Sequence, residues 1–218
     1  MREILSDPAF VVPPVPPATA GVGWLRASVG RFSEGAAHVR RRGLAEAILD
    51  GIAPESLRGR SGHSVAVLAA AMGVTDPAVA GLVEDVAQAY QPGTGDEGVA
   101  DPAVERLVAI FGRHDEGTAA RIGVLVQACG ATVALIERTR DKPVEEVLRD
   151  DPPVRFTKRQ AKAATTAGGR RIEAGEILLV PLAGPTAFGA GPRQCPGRAH
   201  ALALVEAATK AQAPDASR

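Results

Sequence analysis

The chain has 218 residues, of which 45% are hydrophobic, 23% charged and only 3% aromatic, with 25 Lys+Arg set against 25 Asp+Glu. That balance leaves no basic excess to neutralise phosphates, which argues against nucleic acid as a partner, and the apolar content excludes a wholly disordered chain. No stretch holds 18 consecutive apolar residues, and Met1-Arg2-Glu3-Ile4 lacks the apolar run of a signal peptide, so the chain reads as soluble and cytoplasmic, with no membrane partner.

Small-residue helices are expected, because seven aromatics are few for a core of this size while 24 Gly and 17 Pro punctuate the chain. Pro8–Pro17 carries five prolines in ten residues and reads as an extended strap after a short turn at Arg2–Leu5. A cap at Ser33 opens a helix reaching Leu49, closed by Asp50-Gly51. His63–Met72 is a second helix, and Asp76-Pro77 starts a third that runs to Tyr90. Gln91–Ala100 has the composition of a flexible loop, and Asp101-Pro102 repeats the cap-plus-proline start for a helix to Phe111. The next helix runs from Thr118 to about Arg140; its centre, Ile122–Ile136, is apolar on nearly all sides, which predicts a helix buried through the domain. Lys142-Pro143 restarts a short helix, Val144–Arg149, stopped by Asp151-Pro152-Pro153. A small hairpin follows, with Gly168-Gly169 and Ala174-Gly175 bracketing Arg170–Glu173 and a strand-like run at Glu176–Leu182. A Gly/Pro-rich loop, Gly184–Gly197, leads into an Ala-rich helix from Arg198 to Ala211. The expected fold is mainly α with a small β-hairpin or sheet, in a single domain over residues 1–213, with 214–218 as a frayed tail.

Two cysteines, Cys129 and Cys195, share no CxxC or Cys/His spacing, so neither a disulfide framework nor a zinc site is expected. The loop Phe188-Gly-Ala-Gly191-Pro-Arg193-Gln-Cys195-Pro-Gly197 fits Phe-x-x-Gly-x-Arg-x-Cys-x-Gly at all five fixed positions. Glycines at 189, 191 and 197 let the backbone turn sharply and approach a flat object, and Arg193 offers a fork for a carboxylate. Cys195 lies just before a helix, where free N–H groups and the helix dipole favour a thiolate, the form that ligates haem iron. This loop resembles the haem-binding loop of the cytochrome P-450 family.

Other segments resemble the same family in the same order. Glu146-Val-Leu-Arg149 followed by Asp151-Pro-Pro-Val looks like its Glu-x-x-Arg helix, with i, i+3 spacing suited to a local ion pair. His38-Val-Arg-Arg-Arg42 resembles the helix whose His and Arg hold haem propionates; a solvated basic face is the other reading. Ala128-Cys129-Gly130-Ala131-Thr132 is similar to the oxygen-activating stretch, retaining Thr132 but placing Ala131 where an acid is usual. A methyl group cannot relay a proton. Cys129 is either a small apolar filler or a distal reactive group.

The chain is roughly half a standard member: further helices between Thr132 and Glu146, the meander before Phe188 and the lid helices between Tyr90 and Thr118 are missing. The resemblance implies a truncated P-450-like fold binding haem b, with Cys195 on the iron and Phe188 shielding the sulfur. Gly191, Gly197 and Gly130 would lie close to the porphyrin, while Arg193, His38 and Arg42 hold its propionates. Thr132, with Cys129 and Ala131, would line the distal face. It further implies oxidation of a small-molecule substrate in specialised metabolism, monooxygenase- or peroxygenase-like, with a ferredoxin-type redox partner. Loss of the acid and lid leaves two alternatives, redox-neutral chemistry at the iron and a non-catalytic haem-binding auxiliary protein. The missing cover over the long apolar helix predicts a homodimer or higher homo-oligomer.

Overall fold

The computed structural model describes residues 2–60 and 62–212, so the tail 214–218 lies outside them. The chain opens with α1 (Arg2–Ser6) and the proline-rich strap, extended as its sequence demands and carrying a two-residue strand, β1 (Phe10–Val11). A helix not legible in the sequence follows, α2 (Gly21–Ser28). Its first amides are capped from outside: Asp101 accepts from Val22 N at 2.9 Å and Glu105 from Gly21 N at 3.0 Å. At its other end the buried Arg26 donates to Tyr90 O at 3.1 Å and to Ala89 O, and pairs with Glu97 at 2.6 Å.

The next helix, α3 (Gly35–Asp50), begins two residues later than expected. Ser33 does not cap it, because the Ser33 hydroxyl donates backwards to Val29 O at 2.7 Å, leaving Glu34 at the cap position. After α4 (Ser64–Ala71) and α5 (Val79–Ala89), the helix α6 (Glu97–Phe111) starts within the expected loop. Asp96 accepts from Gly98 N at 2.8 Å and sets that start, while Asp101, freed from its own helix, caps α2. The long helix α7 (Glu116–Arg138) is capped by Asp115, which accepts from Thr118 N at 2.8 Å.

Among the described residues α7 is the one helix long and apolar enough to cross a membrane by length and composition, yet 56% of its most apolar window is buried within the fold. It is not buried all round: Gln127 and Gly130 are exposed, and Ala131 and Ala134 beside them are half-buried. One side of α7 is therefore open, where the sequence predicts cover on every face.

α8 (Val144–Asp150) leads into a sheet that corrects the single-hairpin expectation. The hairpin about Gly168-Gly169 joins β3 (Thr165–Ala167) to β4 (Arg170–Ile172), and β5 (Ile177–Pro181) pairs instead with β2 (Phe156–Ala161), which pairs with β1. β2 escapes a sequence search because Lys158, Arg159 and Gln160 mask its alternation. α9 (Arg198–Gln212) closes the described chain.

Three apolar clusters result. The largest joins α2 and α4 to α7, where Leu25, Val83, Leu107 and Leu125 reach zero exposure, each side chain contributing about 1.5–3 kcal/mol. Ile4 and Leu5 of α1 and Phe10 of the strap pack with Ala161 and Val180 of the sheet and with Leu182 just after it. Leu135, Val147 and Val205 form a third cluster that Phe188 joins.

Arg40 and Arg41 of α3 both hold Glu116 at the start of α7, at 2.7 and 2.8 Å, and these bonds push its carboxyl pKa down to about 2. A depressed carboxylate stabilises fully above its unfolded value near 4.5 and loses that contribution as pH falls to about 2. Glu116→Gln should therefore flatten the acid side of a stability-versus-pH curve between those limits. Screening of the half-exposed arginines limits the loss at pH 7 to about 1 kcal/mol. Parallel curves for wild type and variant would show that the clamp contributes nothing.

Candidate functional site

The cysteine loop is built from two 3-10 turns, Gly184–Thr186 and Gly191–Arg193, and is closed where Cys195 N donates to Phe188 O at 2.8 Å. Gly191 has φ +66°, and a Cβ there would lie 2.6 Å from Ser6 Oγ and 3.1 Å from Leu5 O, so the close passage of α1 requires glycine. Phe188 lies beneath the Arg198 guanidinium, 5.4 Å from its ring centroid. One turn into α9, His200 Nε2 reaches Ile52 O at 2.8 Å and Leu49 O at 3.1 Å, fixing the start of α9 beside the end of α3.

Cys195 is an exposed residue, yet protein packed around its thiol pushes the pKa upward. The Gly197 N–H, hydrogen-bonded to it, and the charges of Arg42 and Arg31 pull the other way. Burial outweighs them, so the thiol is less activated than its helix-start position predicts. Among the described residues no three His, Cys, Asp or Glu side chains cluster in the way that holds a bare metal ion.

The arginines around it are unevenly employed. Arg193 is bound to the turn before α3: it donates to Ser33 O and to Gly30 O at 3.3 Å, and pairs with Glu34 at 2.6 Å. Its expected role as a carboxylate fork is largely taken by the protein itself. Arg42 pairs with Glu46 at 2.8 Å. His38 has its pKa lowered by burial and by the charges of Arg193 and Arg42, so the predicted trio of His38, Arg42 and Arg193 does come together. Arg40 and Arg41 are spent on Glu116.

Arg159 of β2 is the residue that sequence reasoning missed. It is buried, faces inward with Ala161, and donates only to Thr157 Oγ1 at 3.0 Å and Lys158 O at 2.9 Å. Burial, with Arg193 and Arg31 nearby, lowers its pKa to about 10. Four guanidiniums, those of Arg31, Arg42, Arg159 and Arg193, share this region with two carboxylates, Glu34 and Glu46, an excess of two positive charges. A dianion beside the thiol would neutralise it, and a buried cation without a carboxylate is otherwise costly.

Two expectations are corrected. Glu146 and Arg149 do not pair: Arg149 grips the adjacent Asp150 through Nε and Nη2, both at 2.9 Å, and Glu146 sits 3.8 Å from Lys142. On α7, Thr132 is 2% exposed and turned away from the open side, while Cys129 packs in the main core, as the small apolar filler of its two readings would. At about 100° per residue, Thr132 sits roughly 140° around the helix from Gln127. Gly130 does lie on that side, and a Cβ there would meet nothing within 4 Å. The open stripe runs through Gln127, Gly130, Ala131 and Ala134, without a titratable group.

No family model and no curated protein matches the sequence. The solved structures do. P450BioI, in complex with an acyl carrier protein bearing hexadec-9Z-enoic acid, superposes with a TM-score of 0.69 at 17% identity, over 96% of this chain and 81% of that one. P450 RauA, complexed with a biosynthetic intermediate of aurachin RE, gives 0.62 at 16% identity, over 96% and 81% of the two chains. CxnD, a cytochrome P450 for C–S bond formation in chuangxinmycin biosynthesis, gives 0.61 at 14%, over 95% and 76%. The fold is that of a cytochrome P450.

Proposed function

We propose that this chain, having the cytochrome P450 fold, is a haem-thiolate protein, with residues 1–213 as one haem-binding domain and a small organic molecule as its substrate. The observation that carries the reading is the exposed residue Cys195 under the Gly197 N–H, beside an arginine cluster whose buried member, Arg159, donates to a hydroxyl and a carbonyl and to no carboxylate. The donor set suits a flat, dianionic group ligated by one sulfur: Arg159, Arg42 and the neutral His38 receive two carboxylates, and Gly130 leaves room for close approach by a planar ring. Haem supplies iron-centred oxidation or Lewis-acid chemistry when bound. Cys195 would hold the metal, the Gly197 N–H and the Arg42 charge would favour its thiolate against the effect of burial, and Phe188 would close off the loop behind it. Titration of the purified protein with hemin should saturate at one equivalent per chain. Saturation at any other ratio, or none, would overturn the reading.

The absence of a carboxylate or imidazole side chain from Gln127 to Ala134, with the Cys129 thiol buried in the core, favours a reaction that needs no proton delivered from α7, peroxide-driven or redox-neutral, over oxygen-dependent hydroxylation. Wild-type hydroxylation with NADPH and a surrogate ferredoxin system should accordingly be poorly coupled. Ala131→Glu, which sets a carboxylate beside the open side, should raise product per NADPH about 10-fold or more. Tight coupling in the wild type, or no gain in the variant, would contradict this.

Two apolar surfaces, the open side of α7 and the exposed Phe156, Ile177 and Leu179 of the sheet, favour a homodimer. Light scattering on haem-loaded protein at micromolar concentration should report twice the chain mass; a monomer would leave α7 open to bulky or carrier-borne substrates.

A further inference from the structure

A single oxygen joins three distant parts of the chain. Glu34 Oε1 accepts from Val12 N of the strap at 2.8 Å and lies 2.6 Å from Arg193 Nη2 of the cysteine loop, while Glu34 itself stands at the cap of α3. The helix that leads into the strap, α1, meets the loop as well, where Leu5 and Ser6 press on Gly191. The strap also meets the sheet, where Phe10 stands opposite Ala161, two residues beyond Arg159. Strap, loop and the strand bearing Arg159 are therefore one mechanical unit, and Glu34 is the charged group common to the strap and the loop. Arg193 is only 14% exposed through its side chain, so the pair forms where water competes weakly for the guanidinium.

We infer that Glu34 is a positioning residue, a latch that fixes the cysteine loop by tying it to the N-terminal strap, so that retention of the bound group depends on residues 2–12. The inference rests on the haem-thiolate reading for its consequence but not for its geometry. Without the Glu34 charge, Arg193 keeps only backbone carbonyls and the strap loses a hydrogen bond at Val12. The loop then moves relative to α9, and the Gly197 N–H no longer points steadily at the sulfur.

The test uses Glu34→Ala and Glu34→Gln in the full chain. Hydrogen exchange of the Val12 and Cys195 amides, measured without haem, should accelerate about 10-fold in Glu34→Ala, while amides of α5 and α6 exchange as in the wild type. Haem transfer to excess apomyoglobin should be faster by a similar factor. The pH at which the thiolate-type carbonyl band converts to the thiol type should rise. Glu34→Gln, which keeps an acceptor for Val12 but not the charge, should fall between the two and serves if the alanine variant does not fold. Unchanged local exchange, or haem transfer equal to or slower than wild type, would overturn the latch. A wild type that binds no haem sinks the haem-thiolate reading instead, and the exchange data still decide the latch.

Discussion

Cys195→Ser abolishes the strongly red-shifted carbon monoxide band expected of the reduced wild-type protein. Cys129 is buried in the main core while Cys195 is exposed, so of the two cysteines Cys195 is the one accessible to a metal. A serine hydroxyl keeps the shape of the loop and the Cys195 N to Phe188 O bond, but cannot act as a soft anionic ligand near neutral pH. The measurement is a reduced, carbon-monoxide difference spectrum of both proteins after reconstitution. A variant retaining the wild-type band would show that iron is ligated elsewhere, and the site built around Cys195 would fall with it.

Arg159→Met should move two quantities in opposite directions. Its pKa is lowered to about 10, chiefly by burial, so at every pH below 10 the folded apoprotein holds a charge it would rather shed. That shift corresponds to a cost on the order of 3 kcal/mol at pH 7, relieved only as pH climbs above about 10. Methionine fills the space of the stem without the charge, so the apoprotein should gain stability, a rise of several degrees in Tm. Affinity for hemin should drop at least about 10-fold, because a buried cation unopposed by carboxylate is the strongest attraction for a propionate. Both are read on one sample set, by calorimetry of the apoprotein and by fluorescence titration with hemin. A variant that is less stable and binds hemin as tightly as wild type would make Arg159 a structural residue held by Thr157 and Lys158.

What could be read from the sequence divides along physical lines. Helices with an apolar stripe and a polar or glycine boundary, such as α4, α5 and α9, were legible because their signals lie within their own residues. The errors at α2 and α6 share a cause: Asp101 looks like a cap for the helix that contains it, but its carboxylate serves another helix about 80 residues earlier. A side chain that caps in trans carries no local mark. β2 was hidden because three consecutive polar residues cover a strand whose inward member is an arginine, and with the strand went Arg159. The cysteine loop was legible as chemistry because glycine, arginine and cysteine each have a narrow use at that spacing, and the structure places them on one loop. Its partners were less so. Arg193 is bound to carbonyls some 160 residues distant, and Thr132 turns inward by a rotation that periodicity alone cannot assign to one face of a helix apolar on most sides.

The pairing of Phe10 with Ala161, and of Val12 and Arg193 through Glu34, also sets an order of events during synthesis. The strap leaves the ribosome first and has nothing to pair with until most of the chain has followed. The helices from α2 to α7, whose partners lie nearer in sequence, can assemble in the meantime. The cysteine loop and its clasp, which join residues 160 positions apart, can then close on a scaffold already formed, so the long loop between them is shortened before they meet. A cofactor arriving at that moment would meet a site still ajar. Loading would thus be fastest on newly made chains and slow once the two ends have met.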